Sequence, residues 1–191
     1  MRVIGGSRRG ATLRPPSGGV TRPTPERVRE ALFSILVTVQ GARVLDLFAG
    51  SGALGIEALS RGAAEATLVD SSARAAAAIR RNLESLGFAR SAAEVRRQPA
   101  LAFLEQARIG ARQYDLVFLD PPYRHASRLG QQLAGALVPV LAPGARVVAE
   151  SDRRAPLELD LALIGLIDER CYGDTMIQIH HFHHLHGDGS R

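Results

Sequence analysis

Between Arg43 and Glu150, short apolar runs take turns with stretches of helical period. "RVLDLF" reads as a strand and "ALGIEALSRG" as a helix stopped by Gly62. "ATLVD" is a second strand, and "SARAAAAIRRNLESLG" is a long helix ending at Gly87. "AEVRR" is a weaker strand, followed by the helix "ALAFLEQARIG". "YDLVFLD" is the fourth strand, "ASRLGQQLAGALVPVL" is helical to Val138, and "ARVVAE" is the fifth strand. A strand returning parallel to its predecessor needs a crossover, so this alternation dictates a mostly parallel sheet with helices on both faces. "LALIGLIDERCYGDTMIQIHHF" has no helix between its apolar runs and predicts two late strands, which close a seven-stranded, Rossmann-like α/β sheet as an antiparallel pair.

The chain has 191 residues, 46% of them hydrophobic, which suits one domain with a substantial core. Residues 25–180 form that domain. Residues 1–24, rich in Gly, Pro and Arg, form a short basic arm or hairpin, and the His-rich 181–191 a flexible tail. Thr24-Pro25-Glu26 reads as a helix start, with a capping hydroxyl, Pro at the first helical position and an acid in the first turn. Val28, Leu32, Ile35 and Val39 keep helical spacing until Gly41 ends the helix. One cysteine, Cys171, excludes an internal disulfide framework and suits a reducing cytoplasm; it is expected to be half-buried. No apolar run reaches the roughly 20 residues of a membrane span, and the first residues carry no signal-peptide pattern.

The net charge is +5, and all 24 basic residues are Arg. Such uniformity in an Ala- and Gly-rich chain points to compositional bias. Placement says more: Arg2, Arg8, Arg9, Arg14 and Arg22 all precede the first acid, Glu26, which favours a polyanionic partner for the arm. Arg80, Arg81, Arg96 and Arg97 read as solvated, and His125 as a loop residue. Five of the six histidines crowd the tail. Adjacent residues of a strand face opposite ways, so no metal site is expected there.

"LDLFAGSGALG" joins the first strand to its helix, and Gly50-x-Gly52-x-x-Gly55 satisfies a dinucleotide fingerprint. Asp70 ends the next strand where a ribose-binding acid belongs. A nicotinamide-dependent oxidoreductase is therefore a competitor. Asp46, four residues before Gly50, tilts the choice: an acid there is awkward beside a pyrophosphate and welcome beside an ammonium group. An acid for a cationic amino acid, glycines for close approach and an acid for ribose hydroxyls describe S-adenosylmethionine better than NAD.

The fourth strand ends in "LDPPY" (119–123), facing the same crevice. A nucleobase amine is a poor nucleophile because its lone pair is delocalised into the ring. Acceptors for its hydrogens help the nitrogen pyramidalise as it attacks. Asp120 supplies one, the Pro121 carbonyl directed by Pro122 a second, and Tyr123 stacks on the base.

The whole pattern resembles the RsmD-type 16S ribosomal RNA guanine-N2 methyltransferases. It does so in "VIGGSRRGATLRPP", "RPTPERVREALFSIL", "VLDLFAGSGALGIEALSRGA", "NLESLG", "FLDPPY" and "CYGDT". The resemblance implies a class I methyltransferase fold and methyl transfer from S-adenosylmethionine to N2 of one guanine in 16S rRNA of the small ribosomal subunit or its assembly intermediate. The enzyme would be a cytoplasmic monomer. It matches Asp46, Phe48, Gly50 and Gly52 to the cofactor loop, Asp70 to the ribose and Asp120–Tyr123 to catalysis. Arg8, Arg9, Arg22 and Arg27 would contact RNA, with Thr24 in the same entry segment. The family usually carries Asp-Ala-Leu after the third strand; here Pro99 stands in the Asp slot, and the Gln98 amide oxygen is the substitute acceptor. A methyltransferase on another nucleic-acid amine and an RNA-binding assembly factor that keeps the fold are the alternatives.

Overall fold

The computed structural model describes residues 1–18, 24–121, 126–159 and 164–182. The elements run α1 (Glu26–Ile35), β1 (Arg43–Leu47), α2 (Ala53–Ser60), β2 (Glu65–Asp70), α3 (Ala73–Ser85) and β3 (Ala93–Arg97). They continue with α4 (Ala100–Ile109), β4 (Tyr114–Leu119), α5 (Ala126–Leu137), β5 (Leu141–Asp152), β6 (Ile164–Tyr172) and β7 (Thr175–Phe182). The sheet order is β3-β2-β1-β4-β5-β7-β6. The first five strands are parallel, and β7 runs antiparallel between β5 and β6. Each expected strand is present, and the last two pair as an antiparallel hairpin turned at Gly173, φ 65°.

Alternation along the strands sorts the core into two halves. Val44, Leu116, Phe118, Val148 and Ile177 face α1, α2 and α3, meeting Leu32, Phe33, Ile56 and Ile79. Leu45, Leu47, Val117, Leu119 and Val147 face α4 and α5, meeting Phe103, Leu104, Leu133 and Leu137. The Phe33 and Phe118 rings, 5.9 Å apart and tilted by 52°, fasten α1 over β4. Among the described residues no helix is long and apolar enough to cross a membrane.

Four local expectations are corrected. α1 ends at Ile35 and not at Gly41; Val37 takes φ 59° and is 88% exposed, while Val39 still reaches the core. The β-branched run Val37-Thr38-Val39 is poor helix material, and Arg146 takes over the open end, donating to the carbonyls of Leu36 (2.5 Å) and Thr38 (2.8 Å). Pro25 is the N-cap of α1 and not its first helical residue, and Thr24 gives its hydroxyl elsewhere. Cys171 is exposed, because it lies on β6, the edge strand. β7 also continues through His181 and Phe182, past the point where the tail is expected to begin. His180, buried in it, has its Nε2 without a partner among the described residues.

Residues 1–18 do not project from the body. An Arg2–Thr12 bridge folds them back, and Val3 and Leu13, each 1% exposed, enter the half of the core under α1, α2 and α3. The Glu57 carboxylate of α2, fully buried, accepts from the amides of Ile4 and Gly5 at 2.8 Å each and from Arg61 Nε at 2.7 Å. Arg29 of α1, also fully buried, donates to the Arg2 carbonyl while its Nε and Nη1 have no partner among the described residues. Burial lowers the Arg29 pKa, and Glu57 and Glu26 oppose that shift.

Breaking one member of a buried charged network strands the rest, at about 3–5 kcal/mol. Glu57→Ala is therefore expected to lower unfolding free energy by about that amount in urea titration, whereas the exposed Glu105→Ala is expected to leave the urea midpoint essentially unchanged.

Candidate functional site

The crevice lies at the carboxyl ends of the parallel strands, as open α/β sheets require. Asp46, next to last in β1, is 2% exposed, and its Oδ2 accepts from the Gly55 amide at 3.0 Å. That approach depends on glycine: a Cβ on Gly55 would stand 2.9 Å from Leu68 Cδ2 and 3.3 Å from Asp46 Oδ2. The chain then reverses through Phe48 at φ 66° and Gly50 at φ 55°. A Cβ on Gly50 would meet nothing closer than 4.0 Å, so this side of the loop is open to a ligand. Asp70 clasps the loop from β2, with Oδ2 accepting from the Gly50 amide at 2.9 Å and Oδ1 from the Ser72 amide at 2.8 Å. The remaining lone pairs of its carboxylate are free to accept hydroxyls.

Gln98 follows β3, with its amide bonded to the Asp70 carbonyl at 3.1 Å and its side-chain Nε2 to Gln106 Oε1 at 3.1 Å. That orientation leaves the side-chain oxygen to accept. Pro99 is the N-cap of α4 and, lacking an N–H, offers no donor.

Asp120 follows β4 directly. Register places Asp46 beside Phe118 and Phe118 beside Val148, so two residues on, Asp120 stands level with Glu150 of β5. All three acids share the face covered by α1 and α2. Glu150 is 5% exposed, and its Oε2 accepts from the Thr24 hydroxyl at 2.7 Å. Desolvation raises all three carboxyls. Asp46 is pushed up to about 7, with the nearby Asp70 adding to the shift and the Gly55 amide opposing it. Asp120 is pushed well above the carboxylate range by burial, then by Glu150 and Asp46. Glu150 is raised by burial against the pull of Thr24. The crevice is thus short of positive charge, and a cation is the ligand that would relieve it.

The structure brings Asp46, Phe48, Gly50, Gly52, Asp70 and Gln98 to one edge with Asp120 and Pro121. Pro122 and Tyr123 lie outside the described residues, as does Arg22. Arg9 and Arg27 are exposed. Arg8 is partly committed inward: its Nε donates to the Leu86 carbonyl at 2.7 Å, and its guanidinium lies 5.3 Å from the centre of the Phe88 ring. Sequence reasoning missed Glu150, although it ends an apolar strand in an acid just as Asp120 does. At the opposite edge a cavity of about 330 Å³ is lined by Arg43, Glu65, Arg90, Glu94 and Arg112. Ion pairs Arg43–Asp115 and Arg112–Glu94 engage three of its charged lining residues, and it is remote from the acids above.

Residues 1–181 match the family model described as Conserved hypothetical protein 95. Ribosomal RNA small subunit methyltransferase D of Haemophilus influenzae is 37% identical over 160 residues, covering 82% of this chain and 81% of that one. The solved structure of yhhF from Escherichia coli is 35% identical with a TM-score of 0.81, covering 96% and 98% of the two chains. An RNA methyltransferase from Salinibacter ruber in complex with S-adenosyl-L-homocysteine shares the fold, with TM-score 0.65 at 19% identity over 88% of this chain and 99% of that one.

An Asp in the unfolded chain titrates near ~3.9, whereas Asp46 in the folded protein titrates at about 7. Between these values the folded state holds a proton that the unfolded state has lost. The stability this group contributes is therefore full below pH ~4 and is lost as pH rises through the folded value. Asp120 and Glu150 act in the same direction. Asp46→Asn keeps the acceptor for Gly55 and removes the charge. It is expected to equal the wild type in urea titration near pH ~4 and to exceed it by a few kcal/mol near pH ~8.

Proposed function

This chain belongs to the Conserved hypothetical protein 95 family, and from that premise we propose that it transfers a methyl group from S-adenosylmethionine to the exocyclic N2 amine of a guanine in 16S ribosomal RNA. The juxtaposition of Asp120 with the loop that Asp46 and Asp70 organise carries this assignment. S-adenosylmethionine supplies an activated methyl on a sulfonium. The residues present fit it: Asp46 would take the ammonium group, Asp70 the ribose hydroxyls, the open side of Gly50 the close approach, and the Gln98 amide oxygen the adenine amine.

Asp120 and the Pro121 carbonyl would accept the hydrogens of the target amine and hold the nitrogen in line. Tyr123 would stack on the base, which must leave its helical stack to reach the crevice. A cation beside Asp46 favours the ionised form of its neighbours, so Asp120 gains acceptor strength as the site fills. No strong base is required, because the amine proton becomes acidic once the methyl is in place. Arg9 and Arg27 would meet RNA phosphate, with Arg8 adding what its inward contacts leave free, and orient the RNA without reading sequence. With ribosomal RNA as substrate the protein would work in the cytoplasm, as a monomer, with residues 25–180 as the catalytic domain and 1–24 as its RNA-facing arm.

Asp120→Ala is expected to slow methyl transfer about 10²–10³-fold while the Kd for S-adenosylhomocysteine stays within about twofold. Retained turnover removes the motif from the mechanism. Mass spectrometry of 16S rRNA nucleosides from a strain lacking the gene should show one N2-methylguanosine missing, restored by the wild type and not by Asp120→Ala. An unchanged nucleoside profile refutes the substrate. Arg9→Glu and Arg27→Glu should weaken RNA binding, and each should reduce the salt slope by about one; a constant slope excludes them from phosphate contact.

A further inference from the structure

The buried face of α3 is apolar at Ala75, Ala78, Ile79 and Leu83, yet it carries the fully buried Asn82. An amide in such a place is costly unless hydrogen-bonded. Asn82 is bonded in two directions. Toward the N-terminal segment, Oδ1 accepts from the Arg14 amide at 2.9 Å and Nδ2 donates to the Arg14 carbonyl at 3.0 Å. Toward the crevice, Nδ2 donates to the Ser51 carbonyl at 2.9 Å.

Ser51 lies between Gly50 and Gly52, the most pliable stretch of the loop. A peptide group is planar, so fixing the Ser51 carbonyl also fixes the direction of the Gly52 N–H. That N–H points away from Asn82 and closes the turn on the Ala49 carbonyl at 2.7 Å. Asp70 holds the Gly50 amide from the other side. The loop is thus clamped by an acid on β2 and by an amide on α3, and only the first lies on the open side.

We propose that Asn82 is a positioning residue for the methyl donor: by gripping the Ser51 carbonyl and the Arg14 backbone together, it holds the glycine loop in its binding shape without touching the ligand. The proposal rests on the reading that this loop holds S-adenosylmethionine. A loop ordered in advance avoids the entropy cost of ordering on binding. Loss of Asn82 therefore acts on donor affinity and not on the chemical step.

The experiment is calorimetric titration of the full chain with S-adenosylhomocysteine, together with methyl-transfer kinetics. Asn82→Ala is expected to raise Kd and the KM for the donor about tenfold, with kcat within about twofold of wild type. Leu13→Ala is the control, because it loosens the same segment from the core but removes no bond to Ser51. It is expected to lower Tm and leave Kd unchanged. An unaltered Kd in Asn82→Ala, or an equal loss in Leu13→Ala, overturns the proposal. If Asn82→Ala does not fold, hydrogen exchange on the wild type decides. Saturating S-adenosylhomocysteine should slow exchange of the Arg14 amide, whose acceptor is Asn82, and an unchanged rate overturns the proposal. A wild type that does not bind the ligand refutes the cofactor assignment itself and this inference with it. A wild type that binds, alongside an Asn82→Ala that binds equally, refutes only the role of Asn82.

Discussion

A carboxyl buried at the end of β1, whose hydrogen-bond donor among the described residues is the Gly55 amide, sets the terms for its surroundings. Asp46 receives the Gly55 N–H, and a side chain on Gly55 would crowd both Leu68 and that carboxylate. The start of α2 must therefore lie close against β2, and the loop before it must turn through left-handed conformations at Phe48 and Gly50. Register then carries the constraint sideways. Once β1, β4 and β5 are aligned by their core residues, Asp120 and Glu150 fall on the same face as Asp46. The crevice is acidic by construction, which is what a cationic methyl donor would favour.

Much of this was legible in the chain because periodicity reports burial. β1, β2, β4 and the β6–β7 pair are readable from apolar runs bounded by turn residues, β3 more weakly, and the glycine loop from its spacing. Asp46, Asp70 and Asp120 stood out because an acid closing an apolar strand has few other reasons to be there. Glu150 obeys the same rule but carries no signal of its own, because nothing near it in sequence resembles a motif. Its partner Thr24 lies 126 residues away.

What the sequence hid was mostly the destination of polar groups. Thr24 looked like a helix cap, yet its hydroxyl serves Glu150, and Pro25 caps α1 without a side-chain bond. Arg8 looked like a free cation, yet part of its guanidinium is used on Leu86 and Phe88. The basic run at the front reads as an arm or hairpin for a polyanionic partner, and nothing in its spacing shows that Val3 and Leu13 are core residues. Local pattern cannot reveal these partners, because hydrogen bonds across 52 to 126 residues leave no trace in spacing.

The docking of the first residues against α2 and α3 also bears on how the molecule is born. Met1 to Arg14 are synthesised before their anchors, for Glu57 and Asn82 follow 52 to 68 residues later. The leading segment must wait, unpaired, until α3 has been made. Glu150, which receives Thr24, comes later still. Assembly is therefore closed from the back of the chain to the front, and contacts of such long range slow folding. A nascent chain halted before β5 would hold the loop and its clamp but lack Glu150 and the strand that lies beside Asp120.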